Sequence, residues 1–209
     1  RFGMNLADFL KTRGQLTAAD LALAVSCFVR EEIPKGAYYL REGQTPTKVS
    51  FVEKGLFRLF YQLNGEEKIM LFFSEGQFMT DYFGFLTRTP SLRPIQALED
   101  AVVYSIDHAK LHQLFEQSKN WERMGRQMAE SAYVASVLRA NRLLHDDYDT
   151  RFGTFMAENP GLLQRVPQYM IASYLHMTPE TLSRVKKRAM KKSQTPPSIH
   201  QQKGTDFLI

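Results

Sequence analysis

The chain has 209 residues, a length typical of one large domain or two modest ones, and 44% hydrophobic and 23% charged residues indicate a globular protein. No apolar run approaches the roughly 20 residues that span a bilayer, and no signal peptide is visible at the N-terminus. The one cysteine, Cys27, excludes an internal disulfide and a four-thiolate cluster within one chain, so we expect a reducing cytoplasm as the location.

The positive charge is concentrated at one end of the chain. Net charge is +5, and residues 151–209 hold 9 Lys and Arg against 3 Asp and Glu, whereas residues 1–150 hold 18 against 19. A basic segment on a neutral body indicates contact with a polyanion, although a solvated basic tail fits the charge equally well.

The N-terminal segment has the pattern of a capped helix. Thr17 is followed three residues later by Asp20, which is typical of a capping box with Thr17 as the cap. Leu21, Val25 and Phe28 then fall on one helical face.

Residues 33–106 have the pattern of many short strands. Apolar or alternating runs occupy residues 37–40, 49–52, 56–61, 68–73 and 101–106. Between them lie five glycines spaced 7 to 12 residues apart, Gly36, Gly43, Gly55, Gly65 and Gly76. This arrangement predicts an antiparallel sandwich or roll, and Asn64-Gly65 is a strong hairpin signal.

A short and a long helix are predicted next. Asp107 can cap a helix over residues 108–117, and residues 120–144 form a longer periodic segment, roughly 37 Å long at 1.5 Å per residue. One apolar stripe is assigned to a dimer interface and contains Trp121, Met124, Met128, Ala132, Ala135 and Leu138. A neighbouring stripe contains Val134, Val137, Asn141 and Leu144. One stripe could pack on the roll and the other on the same helix of a second copy of the chain. Alternatively, the segment is a single helix buried in the core.

The segment after the long helix contains a break and a further helix. His145-Asp146-Asp147 interrupts the apolar pattern, and Asp149 is the predicted cap of a helix that runs to about Glu158 and stops at residues 159–161. The last 17 residues, from Ser193, are either a weak hairpin or disordered.

Residues 168–188 read as two short helices joined by a turn. Ile171 and Leu175 share a face of the first helix, and Leu182 and Val185 share a face of the second. A small residue, Ala172, stands where the helices would cross. These features predict a helix-turn-helix unit, although any helical domain can contain two helices with this spacing.

The turn and the start of the second helix add detail to this prediction. His176 occupies the turn position that needs a positive φ, a region in which histidine is enriched. Met177 can fill the gap between the helices, and Thr178-Pro179 is a suitable N-cap followed by a suitable first helical residue.

The outer face of the second helix carries side chains suited to DNA. Arg184 can pair with guanine O6 and N7, and Glu180 can accept from a cytosine amino group. Lys186 is suited to a phosphate contact. Besides Lys186, the residues assigned to DNA binding are Gln168, Tyr169, Thr178, Pro179, Glu180, Thr181, Ser183, Arg184, Lys187 and Arg188.

These features resemble the Crp/Fnr family of bacterial transcription regulators over nearly the whole chain. The most specific match runs through residues 171–175 and 178–184, where Glu180 and Arg184 match the family's Glu and Arg four residues apart. The family often has an Arg before that Glu; here Pro179 stands there, so one base or phosphate contact is lost.

The resemblance implies an α+β fold in three parts. These are an N-terminal antiparallel β-roll like that of cyclic nucleotide-binding proteins (residues 1–117), a long dimerisation helix (118–145), and a C-terminal winged-helix-like helix-turn-helix domain (146–209). It also implies a homodimer, a two-fold symmetric site on double-stranded DNA, and RNA polymerase as a partner.

The match is weaker at the effector position. Family members that bind cyclic nucleotides have Gly-Glu-x-x-Gly-Glu followed by Arg-Ser/Thr-Ala; here Thr80 replaces the second Gly, Asp81 the ribose-binding Glu and Ser91 the phosphate-binding Arg. The candidate pocket residues are Gly76, Thr80, Asp81, Tyr82, Ser91, Leu92 and Arg93. A register slip would bring Arg93 to the phosphate position, but Pro94 would follow it without an amide proton. We therefore do not expect cyclic AMP or cyclic GMP to bind in the usual manner.

Several alternatives stay open for this pocket and for the function. The pocket could hold another small molecule, such as an anion at Arg93 or Arg88, or be filled by Phe72, Phe78, Tyr82 and Phe85. His108 and His112 have i, i+4 spacing that could bind a metal, but without a third ligand we expect a solvated surface pair and predict no metal site. A ligand-binding module that regulates a protein partner is the second functional hypothesis.

We do not expect an enzyme. A catalytic metal site in a jelly-roll-like barrel usually needs histidines on adjacent strands, and residues 33–106 contain none. No nucleophile–base pair or phosphate-cradling glycine loop is apparent, so no catalytic residue is predicted.

Overall fold

The computed structural model describes residues 5–12 and 14–194. Two short helices come first, α1 (Leu6–Thr12) and α2 (Ala18–Val25). The capping box is confirmed, because the Asp20 amide donates to Thr17 Oγ1 at 3.2 Å and the Thr17 amide donates to Asp20 Oδ2 at 2.9 Å.

Eight strands form the roll. They are β1 (Val29–Ile33), β2 (Tyr38–Leu40), β3 (Lys48–Lys54), β4 (Phe57–Leu63), β5 (Glu66–Phe73), β6 (Phe78–Met79), β7 (Ile95–Ala97) and β8 (Ala101–Asp107). One antiparallel sheet has the order β1-β8-β3-β6 and the other β2-β7-β4-β5, with helix α3 (Tyr82–Thr87) between β6 and β7. The predicted antiparallel roll is thus confirmed.

Three strands were not anticipated as separate elements. β1 begins at Val29 rather than Ile33, and its three central residues are charged. β6 has two residues and β7 has three. Their local sequences carry almost no strand signal, and pairing with β8, β3 and β4 supplies the stabilisation instead.

The hairpin between β4 and β5 follows the local sequence. Asn64 and Gly65 have φ of 52° and 80°, as a two-residue type I′ turn requires, and they place Leu63 opposite Glu66. Gly55 is required for a different reason. With φ of 106°, its added Cβ would lie 2.5 Å from Ala101 Cβ, so any side chain would push β8 away.

Helices α4 (His108–Gln117) and α5 (Lys119–His145) follow the roll. Asp107 caps α4 as predicted, with its Oδ1 accepting from the Lys110 amide at 2.9 Å. Neither α5 nor any other helix of the described residues combines the length and the apolarity needed to cross a membrane.

The assignment of α5 residues to a dimer interface needs a correction. Trp121 is only 1% exposed, Met124 is also buried, and both pack with α1, α2 and α4 in the protomer's own core, against which Met128 also lies. The Trp121 indole donates to the Asp20 carbonyl at 3.0 Å. Trp121 and Met124 are therefore unavailable to a second copy, because their side chains already complete this core.

The C-terminal head consists of α6 (Tyr148–Glu158), α7 (Leu162–Arg165), α8 (Gln168–Tyr174) and α9 (Pro179–Gln194). Asp147 caps α6, and the predicted cap Asp149 lies inside the first turn. Ser193 and Gln194 end α9. The predicted tail and any wing strand would fall on residues 195–209, which lie outside the described residues.

The head packs directly on the roll. One apolar cluster joins buried residues of β4 and β5 to buried residues of α6, α8 and α9, among them Phe60, Ile69, Phe155, Ile171 and Leu182. Across this contact the Ile69 amide donates to Ser173 Oγ at 3.0 Å, and Ser173 Oγ donates to the Glu67 carbonyl at 3.2 Å. The position of the head is thus set by packing and by hydrogen bonds.

Candidate functional site

Helices α8 and α9 form the predicted helix-turn-helix unit. Ile171, Ala172, Leu182 and Val185 are buried between the helices and the rest of the head. His176 has φ of 54°, as expected for the turn. Ala172 and the apolar residues at helical spacing therefore lie in the buried contact between the two helices, as the sequence indicated.

The turn closes through backbone and side-chain hydrogen bonds. The Met177 amide donates to the Ala172 carbonyl at 3.0 Å, and the Thr181 amide donates to Thr178 Oγ1 at 3.2 Å, so Thr178 starts α9 as predicted. Burial, followed by the charges of Arg139 and Arg151, lowers the pKa of His176, which keeps this ring neutral at pH 7.

Glu180 and Arg184 share the exposed face of α9, which we call the reading face. Both side chains are open to solvent, and Arg184 Nη2 donates to Thr181 Oγ1 at 3.2 Å. Hydrogen bonds from its own amide and from Thr178 lower the pKa of Glu180, so its carboxylate is ionised and acts only as an acceptor at pH 7. The reading face thus offers the forked guanidinium of Arg184 as a donor and the carboxylate of Glu180 as an acceptor.

The remaining residues assigned to DNA lie around the reading face. Gln168, Tyr169, Thr178, Pro179, Lys187 and Arg188 are exposed, while Thr181 and Ser183 are half-buried. Arg188 is already engaged, because its guanidinium donates to both carboxylate oxygens of Asp149, at 2.7 and 3.0 Å. This pair spans 39 positions of the chain, so no local pattern could have indicated it.

The effector position is occupied by side chains of the roll itself. Asp81 is 2% exposed, and its Oδ1 lies 2.5 Å from Arg93 Nη2. Ser91 Oγ donates to Asp81 Oδ2 at 2.6 Å and accepts from the Arg93 amide at 2.9 Å. The residues at the expected ribose and phosphate positions therefore bind each other, with Arg93 as the cation of the pair.

Other predicted pocket residues point elsewhere. Tyr82 and Leu92 are exposed, and Thr80 Oγ1 donates to the Lys48 carbonyl at 3.0 Å. Gly76 has φ of 81° and lies in the turn before β6. Arg88 donates to the Pro46 carbonyl at 3.0 Å. Of the predicted pocket residues, the structure therefore brings together Asp81, Ser91 and Arg93.

The suggestion that four aromatic rings fill the pocket is wrong for Tyr82, whose side chain is exposed, and for Phe72 and Phe78, which pack elsewhere. Phe72 lies 5.4 Å from the ring of Tyr174 in the head, and Phe78 packs 5.5 Å from Phe9 of α1. Phe85 is buried as expected. The two displaced rings are drawn to apolar partners on other elements, which the sequence alone does not reveal.

The middle of α5 presents an exposed apolar face, here called the outer stripe. Its members recur at helical spacing and are Tyr133, Val134, Val137, Leu138, Asn141 and Leu144. Val134 is 53% exposed. Tyr133 was not singled out from the sequence, although it belongs to the same period. Ala132 and Ala135 are also exposed but lie nearer the face that continues to Trp121.

Comparison with known proteins gives a family model that matches the roll and solved structures that match most of the chain. Residues 30–118 match the family model of the cyclic nucleotide-binding domain. No curated protein sequence gives a significant match to the chain.

Solved structures match over most of the chain. FixK2 from Bradyrhizobium japonicum is 18% identical over 79% of this chain and 86% of its own, with a TM-score of 0.70. A protein from Eubacterium rectale assigned to the Crp/Fnr family is 14% identical over 91% of both chains, with a TM-score of 0.65. The catabolite activator protein of Thermus thermophilus is 18% identical over 90% of both chains, with a TM-score of 0.55.

The two comparisons agree with the resemblance that the sequence indicated. The family model covers the strands of the roll, and the solved structures extend the similarity through the long helix into the head. Residues 30–118 are therefore similar to the cyclic nucleotide-binding domain, and most of the chain has the fold of the solved Crp/Fnr regulator structures.

Proposed function

We propose that this protein is a sequence-specific DNA-binding transcription regulator that acts as a homodimer. The observation that carries the proposal is the reading face, where Glu180 and Arg184 are exposed on a helix whose other side is buried in the head. A helix of this kind fits the major groove, which is about 12 Å wide. The similarity of fold to Crp/Fnr regulators supports the same conclusion.

The dimer rests on the outer stripe of α5. A solvent-exposed row of large apolar side chains on a 27-residue helix is typical of a surface that pairs with a second helix. Two copies joined along this helix would present two reading faces to successive major grooves, about 34 Å apart. The three-part division at residues 117 and 145 and the contact with RNA polymerase stay predictions of the resemblance.

The proposed regulator does not depend on cyclic AMP or cyclic GMP bound in the usual manner. Asp81 and Arg93 neutralise each other, and Ser91 completes their hydrogen bonding. A cyclic phosphate would have to compete with the buried carboxylate for the same cation, at a position that lacks the usual Arg. Addition of either nucleotide is therefore expected to leave DNA binding unchanged.

The decisive experiment selects DNA fragments with the purified protein, with and without cyclic nucleotides, and measures affinity for the recovered site. Binding should weaken steeply as salt increases, because phosphate contacts release counterions. The Arg184→Ala variant should lose about 1–3 kcal/mol of discrimination between the selected site and random duplex, because it removes a forked base contact.

Lys187→Ala is the matched control on the same helix. It should weaken binding to every duplex alike and reduce the salt slope by about one, because it removes only a phosphate contact. An Arg184→Ala variant that recognises the same operator with undiminished discrimination would refute the assignment of the reading face. If no fragment is retained at moderate salt, the alternative of a ligand-binding module that acts on a protein partner is favoured.

A further inference from the structure

Two imidazole rings at the start of α4 converge on one point in space. His108 and His112 occupy the first two turns on the same helical face, and their Nε2 atoms lie 3.1 Å apart with ring centroids 4.2 Å apart. At this distance the Nε2 proton of one ring can be donated to the Nε2 lone pair of the other, and the tautomers decide which ring is the donor. The two rings therefore lie in direct contact, with His112 exposed to solvent.

Aromatic neighbours fix the orientation of both rings. Phe85 of α3 lies 5.1 Å from the ring of His108, which is half-buried, and Phe115 meets the ring of His112 edge-on at 5.8 Å. Because each imidazole is packed against a phenyl ring, little side-chain entropy is lost when both nitrogens bind the same ligand. The exposed side of His112 leaves a path for a small ion from solvent.

We propose that His108 and His112 form a bidentate site for a late divalent transition-metal ion of the class of Cu²⁺, Ni²⁺ and Zn²⁺. Two metal–nitrogen bonds of about 2.05 Å across the observed separation enclose an angle of roughly 98°, which lies between square-planar and tetrahedral geometry. Imidazole suits these ions, whereas Mg²⁺ prefers oxygen ligands.

Binding requires only a change of tautomer in one ring. The proton between the two Nε2 atoms moves to Nδ1 of the donating ring, and both Nε2 lone pairs then bind the ion, so the neutral pair keeps both of its protons. Water completes the coordination shell, because the described residues contain no set of three or more His, Cys, Asp or Glu side chains arranged to hold a metal. The expected order of affinity is Cu²⁺ above Ni²⁺ and Zn²⁺.

Occupancy of this site would stiffen the roll near the effector position. The ion would link successive turns of α4, and His108 contacts Phe85 of α3, whose N-cap residue is Asp81. Because both histidines and their aromatic neighbours lie outside the helix-turn-helix unit, metal binding can be tested independently of DNA binding.

The test uses the full chain without an affinity tag, titrated with Zn²⁺ and Cu²⁺ by calorimetry. His112→Gln should weaken the tightest site by about tenfold or more, because one of two linked donors is lost. His145→Gln, which removes another exposed histidine at the end of α5, should leave that site unchanged. Mg²⁺ should give no binding signal to any of the three proteins.

A second readout combines spectroscopy on the parent protein with unfolding temperatures of the parent and the His112→Gln variant. The Cu²⁺ complex should show electron paramagnetic resonance couplings to two imidazole nitrogens, and Zn²⁺ should raise the unfolding temperature of the parent protein but not of His112→Gln. Equal affinity in the parent and His112→Gln proteins, or coupling to fewer than two imidazoles, would overturn the proposal.

Discussion

Asp20 joins the N-terminal helices to the long helix through a dense set of hydrogen bonds. Its buried carboxylate accepts from the Thr17 amide and hydroxyl, from Ser118 Oγ at 2.5 Å and from Asn120 Nδ2 at 2.8 Å. The Ser118 hydroxyl contributes most to holding the pKa of this carboxyl well below its ordinary value, and Thr17 adds to the effect. The ionised form is thus the one that the fold selects.

The Asp20→Asn variant should be less stable at neutral pH by about 2 kcal/mol, because an amide nitrogen would face donors that need an acceptor. Because the folded-state pKa is depressed, the stabilisation is present above the unfolded pKa of about 4 and is lost as pH falls below it. The difference in unfolding free energy between the parent and the variant should therefore shrink on acidification, as measured by urea titration at several pH values.

Asp8→Asn is the control for this variant, because Asp8 is an exposed carboxylate on α1. Its effect should stay below about 0.5 kcal/mol at every pH. A loss of stability in Asp20→Asn that is the same at pH 3 and pH 7 would show that the carboxylate charge is irrelevant.

Local chemistry predicted most single-residue roles at helix ends. Thr17, Asp107 and Thr178 are caps, and His176 takes the positive φ, because each role depends on bonds within three or four residues. Asp149 was the exception. Asp147 and Asp149 are equally suitable caps from the local sequence. In the structure α5 ends at His145 and Asp147 caps α6, while Asp149 pairs with Arg188.

Helix α5 has two apolar faces in different environments. One face continues from Trp121 and completes the core of the protomer, while the outer stripe lies open to solvent. Periodicity identified both faces but could not say which is inward, because the partners of Trp121 come from α1, α2 and α4.

Val134→Asp tests whether the outer stripe is the dimer interface. A carboxylate in the middle of a helix pair would be buried twice in a symmetric dimer, which costs about 3 kcal/mol or more and should raise the dissociation constant at least about a hundredfold. Sedimentation velocity at several concentrations measures this change. Ser136→Asp, which adds the same charge at an exposed position on the opposite side of α5, should leave the dimer intact. The outer stripe would be rejected as the interface if both variants sediment alike.

The C-terminal head and the roll are joined by an apolar contact and by a network of ion pairs. Arg165 of α7 forms a clamp across this contact, with paired hydrogen bonds of 2.8 Å to Glu75 and bonds of 2.9 and 2.6 Å to Glu99. The clamp lies beside the apolar cluster shared by β4, β5 and the head. A forked cation between two carboxylates thus fixes the orientation in which the reading face is presented.

Arg165→Ala should loosen the head without unfolding the roll. We expect a loss of about 1–2 kcal/mol, because the network is only partly exposed and two carboxylates lose their shared partner. The Ile69 amide, which donates to Ser173 Oγ across the contact, should then exchange its hydrogen faster.

Arg142→Ala provides the comparison, because Arg142 makes an equally well-formed pair with Glu158 that does not involve the roll. Hydrogen exchange at Ile69 should be unaffected in that variant. Unchanged exchange at Ile69 in Arg165→Ala would mean that packing alone holds the head in place.

The roll, the long helix and the helix-turn-helix could be predicted from the amino-acid sequence, together with most caps and turns. These features depend on periodicity and on hydrogen bonds between near neighbours, both of which are written locally in the chain. The sequence also indicated that the effector position differs from that of family members that bind cyclic nucleotides, because Ser91 stands where those proteins have an Arg.

Contacts between residues that are far apart in the chain could not be predicted in this way, because they depend on how the elements pack. The pairing of Asp81 with Arg93, the inward turn of Trp121, the Arg165 clamp and the engagement of Arg188 by Asp149 all join separate elements. Charge pairing and burial depend on the position of every neighbouring element, so of two arginines on the same helix only one forms an ion pair with another element of the part of the chain that the structure describes. For this reason Arg184 remains open to solvent on the reading face while Arg188, one turn later, is held by α6.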